Sequence, residues 1–126
     1  FNFYKAVFGG EFTYIGRFAE IPPSDEFPVN EADKNKVMHV SLPIGQSVLM
    51  GSDNGEAYQS AFVAGNNFSV SINADSREEA DKLYAGLAEG GQATMLMSDT
   101  FWGAYFGMFT DKFGINWMVN YDYEQK

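Results

Sequence analysis

His39 is the only histidine of the chain, and its imidazole is the side chain best suited to proton transfer near neutral pH. It lies between Val37 and Ser41 in a stretch of alternating residues, and the alternation of a β-strand puts these three side chains on one face. His39 is therefore the best candidate for a catalytic residue, as a general base or as a ligand contact beside Ser41. The alternative is a structural histidine that holds a hydrogen bond within the sheet. A single histidine does not make a multi-histidine metal site.

Asp53 is a candidate pocket carboxylate because it follows Ser52 directly after a strand-like segment. Residues 52–55 also form an ordinary turn sequence, in which an aspartate bonds the backbone, so a structural role is the alternative. Glu56 and Asp99 are predicted to be solvated loop acids, and no pair of acids is placed for acid–base catalysis. The chain has no cysteine, which excludes disulfides, thiolate nucleophiles and zinc–thiolate sites.

An aromatic cluster in the last third of the chain either lines an apolar ligand pocket or forms ordinary core. Its members are Phe101, Trp102, Tyr105 and Phe106. Alternation along a predicted strand over residues 102–110 separates Tyr105 from Trp102 and gives it two glycines as neighbours on its face, which leaves room for a ligand.

The last predicted strand contributes a semi-polar wall. Alternation puts Asn116, Met118 and Asn120 on the face opposite to Trp117, which is expected to pack against a helix. The predicted ligand-binding residues are His39, Ser41, Asp53, Trp102, Tyr105, Asn116 and Met118. No residue is predicted as a metal ligand.

Two similar runs of secondary structure are predicted to position these residues. The first is a helix over residues 1–8 that ends at Gly9-Gly10, followed by strands at 11–18, 35–42 and 47–52, with a loop over 19–34. The second is a strand at 67–74, a helix that starts after Asp75 and ends at Gly90-Gly91, and strands at 92–97, 102–110 and 115–121. This internal repeat predicts a single domain over 1–126 with module one at 1–53, a linker at 54–66 and module two at 67–126.

Composition narrows the range of partners. The chain has 126 residues, 45% of them hydrophobic, and a net charge of −9. Nucleic-acid binding and an anionic membrane surface both require clustered Lys and Arg, so neither partner is expected. No apolar run approaches the roughly 20 residues that span a bilayer. No signal peptide is visible, so a cytoplasmic location is expected, and the opening at Phe1 indicates that one strand lies upstream.

Three local strings carry a resemblance that covers nearly the whole chain. They are FYKAVFGGE at 3–11, VMHV at 37–40 and TFWG at 100–103. They resemble the PhnB-like, or demethylubiquinone-methyltransferase-like, branch of the vicinal-oxygen-chelate superfamily, which includes glyoxalase I, bleomycin-resistance proteins and extradiol dioxygenases. The resemblance implies an α+β fold. Two βαβββ modules would form a cupped, half-open mixed sheet with helices on the outer face, the first strand missing from this chain.

The resemblance also implies where a metal would bind, and the sequence departs from that pattern. Catalytic members hold a divalent metal with His, Gln or Glu on the first and last strands of each module. Here the opening strand of module two offers only Asn67, Phe68 and Ser69, and Met118 stands where such members usually carry Glu. A thioether is a poor ligand for hard or borderline metals. No cofactor is therefore predicted, and a divalent metal is expected only if upstream residues supply ligands.

The favoured hypothesis is a domain that binds a small molecule without metal catalysis, and whether it is an enzyme stays open. The first alternative is a metal-dependent lyase or dioxygenase of the glyoxalase type, and the second is a structural or interaction domain. A methyltransferase is disfavoured because no glycine-rich cofactor loop follows a strand. A homodimer is expected, since relatives commonly pair modules between chains and open sheet edges favour pairing.

Overall fold

The computed structural model describes residues 1–22 and 29–123, and in this part of the chain two α-helices and seven strands form two compact units. The helices are α1 (Asn2–Phe8) and α2 (Arg77–Ala88). The strands are β1 (Tyr14–Arg17), β2 (Val37–Ile44), β3 (Ser47–Gly51), β4 (Val70–Asn73), β5 (Gln92–Asp99), β6 (Ala104–Thr110) and β7 (Asn116–Asp122). Unit 1 covers Phe1–Val63 and unit 2 covers Ala64–Lys126. Residues 23–28 of the predicted loop lie outside the described residues.

Unit 1 is an antiparallel sheet in the order β1-β2-β3, and Phe1, at the start of α1, contacts one of its faces. A two-residue turn joins β2 to β3, and its Gly45 has a φ of 61°, which glycine adopts without a steric penalty. The ring of Phe1 lies directly against the backbone of Gly51, which pairs with the buried Val40. Val40 and Leu42 therefore face the helix, and His39 and Ser41 face away from it.

Unit 2 is a four-stranded sheet in the order β4-β7-β6-β5, with β4 parallel to β7 and the other pairs antiparallel. The helix α2 covers one face. It begins at Ser76, whose hydroxyl accepts a hydrogen bond from the Glu79 backbone N–H, a standard N-cap contact. The buried core between helix and sheet consists of Ala80, Leu83, Leu87, Phe109, Trp117 and Val119.

The predicted helix end at Gly90-Gly91 is confirmed, and the two glycines have different structural roles. Gly90 has a φ of 78°, which reverses the chain after α2. Gly91 packs so closely on the Thr110 carbonyl that a Cβ atom would overlap it. The first glycine supplies the turn, and the second lets β5 start beside β6.

A buried carboxylate builds the turn between β6 and β7. Asp111 is 3% exposed, and its Oδ1 accepts hydrogen bonds from the backbone N–H groups of Phe113 and Ile115 at 2.8 and 3.0 Å. Its Oδ2 accepts from the Trp117 indole N–H at 2.9 Å. This network orients Trp117 towards α2, and thereby turns Asn116 and Met118 to the other face of β7.

The predicted α+β class is confirmed, with open three- and four-stranded sheets. The order α1-β1-β2-β3 repeats α2-β5-β6-β7, and the described part of unit 1 has no strand equivalent to β4. Strand ends differ from prediction: the segment predicted at 11–18 pairs only over β1, and that at 67–74 only over β4. Trp102 was predicted in a strand but lies in the turn between β5 and β6. There the Thr100 hydroxyl and backbone N–H both donate to the Ala104 carbonyl, and the hydroxyl accepts from the Ala104 N–H. No described helix is long and apolar enough to cross a membrane.

Candidate functional site

The uncovered face of unit 1 brings His39 and Ser41 together. The His39 Nε2 atom lies 2.8 Å from the Ser41 Oγ atom, and the tautomer of the ring decides which of the two donates. The Tyr14 ring is centred 6.0 Å from the imidazole, and its phenol lies over Gly16, the residue paired with His39. The predicted shared face is confirmed for His39 and Ser41, whereas Val37, predicted beside them, lines a cavity with Val40.

This patch offers hydrogen bonding rather than a complete catalytic constellation. His39 is half-buried and Ser41 is 7% exposed, so the serine hydroxyl acts mainly on the imidazole and fixes its rotation. Met50 pairs with Ser41 and, together with Tyr14, adds exposed apolar surface to this face. The patch can therefore hold one polar group of a ligand beside an apolar body.

Asp53 lies apart from that patch, at the end of the β2–β3 hairpin. Its Oδ2 atom accepts a hydrogen bond from the Val37 N–H at 2.7 Å, and its own N–H donates to the Val37 carbonyl at 2.8 Å. It also borders a cavity of about 230 Å³ on the α1 side of the sheet. The lining residues are Phe1, Ile15, Val37, Val40, Gly51, Ser52 and Asp53. The carboxylate thus closes the hairpin, and His39 faces away from this cavity.

The face of the unit 2 sheet opposite α2 carries most of the other candidates. Residues that are directly paired in a sheet share a face. The pairs on this face are Thr110 with Asn116, Met108 with Met118, Phe106 with Asn120, Ser71 with Met118 and Asn73 with Asn120. The Trp102 ring joins them from the turn, since its centroid lies 5.8 Å from that of Phe106. We call this surface the open face.

The side-chain amides on the open face form hydrogen bonds with other side chains of the sheet. The Asn120 Nδ2 group donates to Asn73 Oδ1 at 3.2 Å and to Asp122 Oδ1 at 3.1 Å. The Asn116 Oδ1 atom accepts from the Thr110 hydroxyl at 2.7 Å. These contacts fix the amides in orientation, so a ligand would meet preorganised polar groups between apolar side chains.

Tyr105 lies on the opposite face, beneath α2. Its hydroxyl donates to the Asp81 carboxylate at 2.6 Å, and the Arg77 guanidinium lies 4.1 Å from the centre of its ring. The hydrogen bond to Asp81 and then burial raise the pKa of Tyr105 above its ordinary value. Tyr105 therefore belongs to the contact between helix and sheet, and the structure separates it from Trp102, Asn116 and Met118.

Part of the room expected beside Tyr105 is also occupied. A Cβ atom on Gly107 would meet the Met97 sulfur at 2.6 Å and the Tyr84 ring at 2.9 Å. The glycine admits these two side chains rather than a ligand. At Gly107 the expected ligand space is therefore filled, whereas a Cβ atom on Gly103, the other neighbouring glycine, would meet nothing within 4 Å.

Sequence reasoning missed part of the open face. Met108, Asn73 and Ser71 lie on it, whereas Phe106, which also lies there, was already part of the predicted aromatic cluster. The alternation within β4 and β6 contained the signal, but the residues become neighbours of Met118 only through the parallel β4–β7 and antiparallel β6–β7 registers. Those pairings join segments more than 40 residues apart for β4 and β7, which local patterns do not specify.

The described residues do not fit the divalent metal that the resemblance implies. No group of three or more His, Cys, Asp or Glu side chains is close enough to hold a metal ion in the part of the chain that the structure describes. His39 has Ser41 at its Nε2 atom, and Met118 is surrounded by Met108 and Ser71. These groups are not a ligand set for a hard or borderline cation.

Comparison with known proteins agrees with this fold. Protein YjdN of Escherichia coli (strain K12) is 29% identical over 124 residues, which cover 94% of this chain and 82% of that protein. The crystal structure of protein PA1353 from Pseudomonas aeruginosa is 42% identical with a TM-score of 0.77, over 96% of this chain and 85% of that one.

A PhnB protein from Bacillus cereus, described as a 3-demethylubiquinone-9 3-methyltransferase, shares the fold. It is 22% identical with a TM-score of 0.66, over 95% of this chain and 86% of that one. A family model matches residues 1–119 of this chain, which is nearly its whole length. The resemblance found in the sequence is thereby confirmed, and the chain belongs to the Glyoxalase/Bleomycin resistance protein/Dioxygenase superfamily.

Proposed function

We propose that this protein binds a small organic molecule on the open face of unit 2 without the metal site of its catalytic relatives. One observation carries the proposal: α2 covers one face of the sheet, whereas the other holds half-buried Phe106, Met108 and Met118 beside fixed amides. Apolar surface that is grouped around a few oriented polar groups is the usual composition of a ligand site.

His39 and Ser41 form a second patch, in unit 1. We assign them a role in binding a polar group, because their hydrogen bond fixes the imidazole while Tyr14 and Met50 provide apolar contact. The two patches are tested independently, by variants confined to one unit at a time.

The side chains of methionine make a direct test possible. The chain has six methionines, and methyl NMR resolves each as a separate signal. A screen of small organic fragments is expected to move the Met108 and Met118 signals. The Met97 signal should stay, since that side chain lies on the α2 side of the sheet. Fragments that move only Met97, or no methionine at all, would contradict the proposal.

A matched pair of variants extends this test to the binding affinity. Met118→Ala is expected to weaken binding of any fragment found by about tenfold, which corresponds to the loss of one good apolar contact. Val63→Ala, at a highly exposed position outside the open face, should leave the affinity unchanged. Equal weakening by both variants would mean that the fragments bind elsewhere.

A metal-dependent lyase or dioxygenase is the second candidate, because the family description includes glyoxalases and dioxygenases. Metal analysis of the purified chain distinguishes the two. A stoichiometric divalent metal that is lost in His39→Ala, together with an activity, would favour this alternative. Binding without metal would favour the first proposal.

A further inference from the structure

The charges around the open face restrict the ligand that it accepts. The four strands of unit 2 contain no Lys or Arg, and their only charged residues are Asp99 and Asp122. The nearby Arg77 lies on the α2 side, where it covers the Tyr105 ring and pairs with Asp99 at 3.6 Å. An anionic ligand would therefore lose its hydration on this face without gaining a cationic partner from these four strands.

The aromatic side chains of the open face complete this picture. Phe101, Trp102 and Phe106 form a row, with ring centroids 5.1 Å apart for the first pair and 5.8 Å for the second, both in edge-to-face geometry. Trp102 is 55% exposed, so a face of its indole is open to solvent. Aromatic faces attract both planar rings and cations, and tryptophan attracts cations most strongly.

The polar group next to this aromatic row is the Asn120 side-chain amide, which can accept a hydrogen bond from a ligand. Asn120 pairs with Phe106, and its amide N–H groups already serve Asn73 and Asp122 within the sheet. What it presents to a ligand is its Oδ1 oxygen, which carries partial negative charge. The protein as a whole has a net charge of −9, which attracts cations further.

We infer that the ligand of the open face is an organic cation with a planar ring system, bound by Trp102 and Phe106 with its charge near Asn120. The inference rests on the proposed function, because it names the class of molecule that the same surface takes. The same charge distribution disfavours anionic ligands such as carboxylates and phosphate esters on this face.

Three probes of nearly equal shape test whether binding to the open face requires a positive charge. They are the cation 1-methylquinolinium, the neutral 1-methylnaphthalene and the anion 1-naphthoate, and tetramethylammonium serves as a cation without a ring. Binding is followed by the two tryptophan indole N–H signals in NMR. Trp102 reports on the open face, and Trp117, buried and bonded to Asp111, is the internal reference. The cation is expected to shift only the Trp102 signal and to bind at least tenfold more tightly than each of the other three probes.

Variants at Trp102 locate the contact. Trp102→Phe should keep binding of 1-methylquinolinium within a fewfold of the parent, and Trp102→Ala should abolish it, as followed by the Met118 methyl signal. The turn position of Trp102 makes both changes compatible with folding, which the methyl spectrum checks directly. Retained binding in Trp102→Ala would overturn the inference.

The outcomes also separate this inference from the proposed function. Equal or tighter binding of the neutral or anionic probe at Met118 would overturn the cation rule and leave the small-molecule site standing. Equal binding of tetramethylammonium would overturn the requirement for a planar ring. If neither these probes nor any fragment moved Met108 or Met118, both proposals would fail together.

Discussion

The Tyr105 hydroxyl links the first turns of α2 to the sheet through its hydrogen bond to Asp81. The same residue illustrates the limit of reading faces from alternation. Period-two spacing correctly grouped His39 with Ser41, and Asn116 with Met118, because side chains of a strand always alternate. It could not decide which group lies under the helix in β6, since each alternating set contains a large aromatic side chain, Tyr105 in one and Phe106 in the other.

Ionisation of Tyr105 should destabilise the protein. Its pKa is raised in the folded state, so the stability from its protonated hydroxyl is fully present below the unfolded pKa of about 10 and is lost as the pH rises through the folded value. We expect Tyr105→Phe to lower the unfolding free energy by about 1 kcal/mol at pH 8. This deficit should shrink as the pH is raised beyond about 10.

Urea unfolding of parent and variant across this pH range measures the difference directly. Tyr14→Phe, which removes a hydroxyl from a half-exposed tyrosine of unit 1, is the control. A deficit of Tyr105→Phe that stays constant with pH would show that the hydroxyl is not coupled to Asp81.

At the level of elements, the junction between α2 and β5 depends on a close backbone approach. A methyl group at Gly91 would overlap the Thr110 carbonyl and lie 2.8–2.9 Å from the Asp111 backbone. Backbone atoms in a sheet yield little, so Gly91→Ala is expected to cost about 2 kcal/mol of stability. Gly65→Ala, whose nearest neighbour is a movable Asn67 side chain at 3.2 Å, should change stability little.

Thermal unfolding followed by circular dichroism compares the two glycine variants. Similar transitions for both would mean that the β5–β6 end adapts more easily than the packing indicates. Because α2 and the open face share strands β6 and β7, a shift at Gly91 should also broaden the Met108 methyl signal.

Helices and strands were predictable here to the extent that local rules define them. Gly9-Gly10 and Gly90-Gly91 mark the helix ends, and Ser76 caps α2, so those limits emerge from short sequences. Strand ends and the Trp102 turn were less predictable, because pairing partners decide them. The segment before Tyr14 alternates like a strand, yet Thr13 makes only isolated bonds to Ser41.

In the candidate site, too, local sequence patterns identified some residues, and strand pairing was needed to find the others. Local alternation identified Asn116 and Met118 and grouped Phe106 with Trp102, whereas Met108 and Asn73 required the sheet register. Asp53 stood between two interpretations in the sequence. Its bonds to Val37 give it a structural role, and its place beside the cavity keeps its predicted ligand contact open.

At the scale of the whole molecule, we expect a homodimer. Several strands have only one neighbour among the described residues, namely β1 and β3 in unit 1 and β4 and β5 in unit 2. Unpaired strand edges favour association, the bulged edge of β5 least, and a symmetric pair would cover the same edge on both copies. Sedimentation at micromolar concentration should give twice the chain mass of 14.0 kDa. A stable monomer that still binds ligand would contradict this expectation.

The strand β5 also bears on the solubility of the protein. It is eight residues long, exposed and free of charge until Asp99, which is the profile of a segment that seeds fibrous aggregates. Its register against β6 slips twice, between Ala93 and Met95 and again before Ser98. Such bulges bend an edge so that another strand fits it poorly. We therefore expect the irregular course of β5 to protect the folded protein from aggregation. A substitution that straightened β5 should lower the solubility of the protein more than its affinity for a ligand.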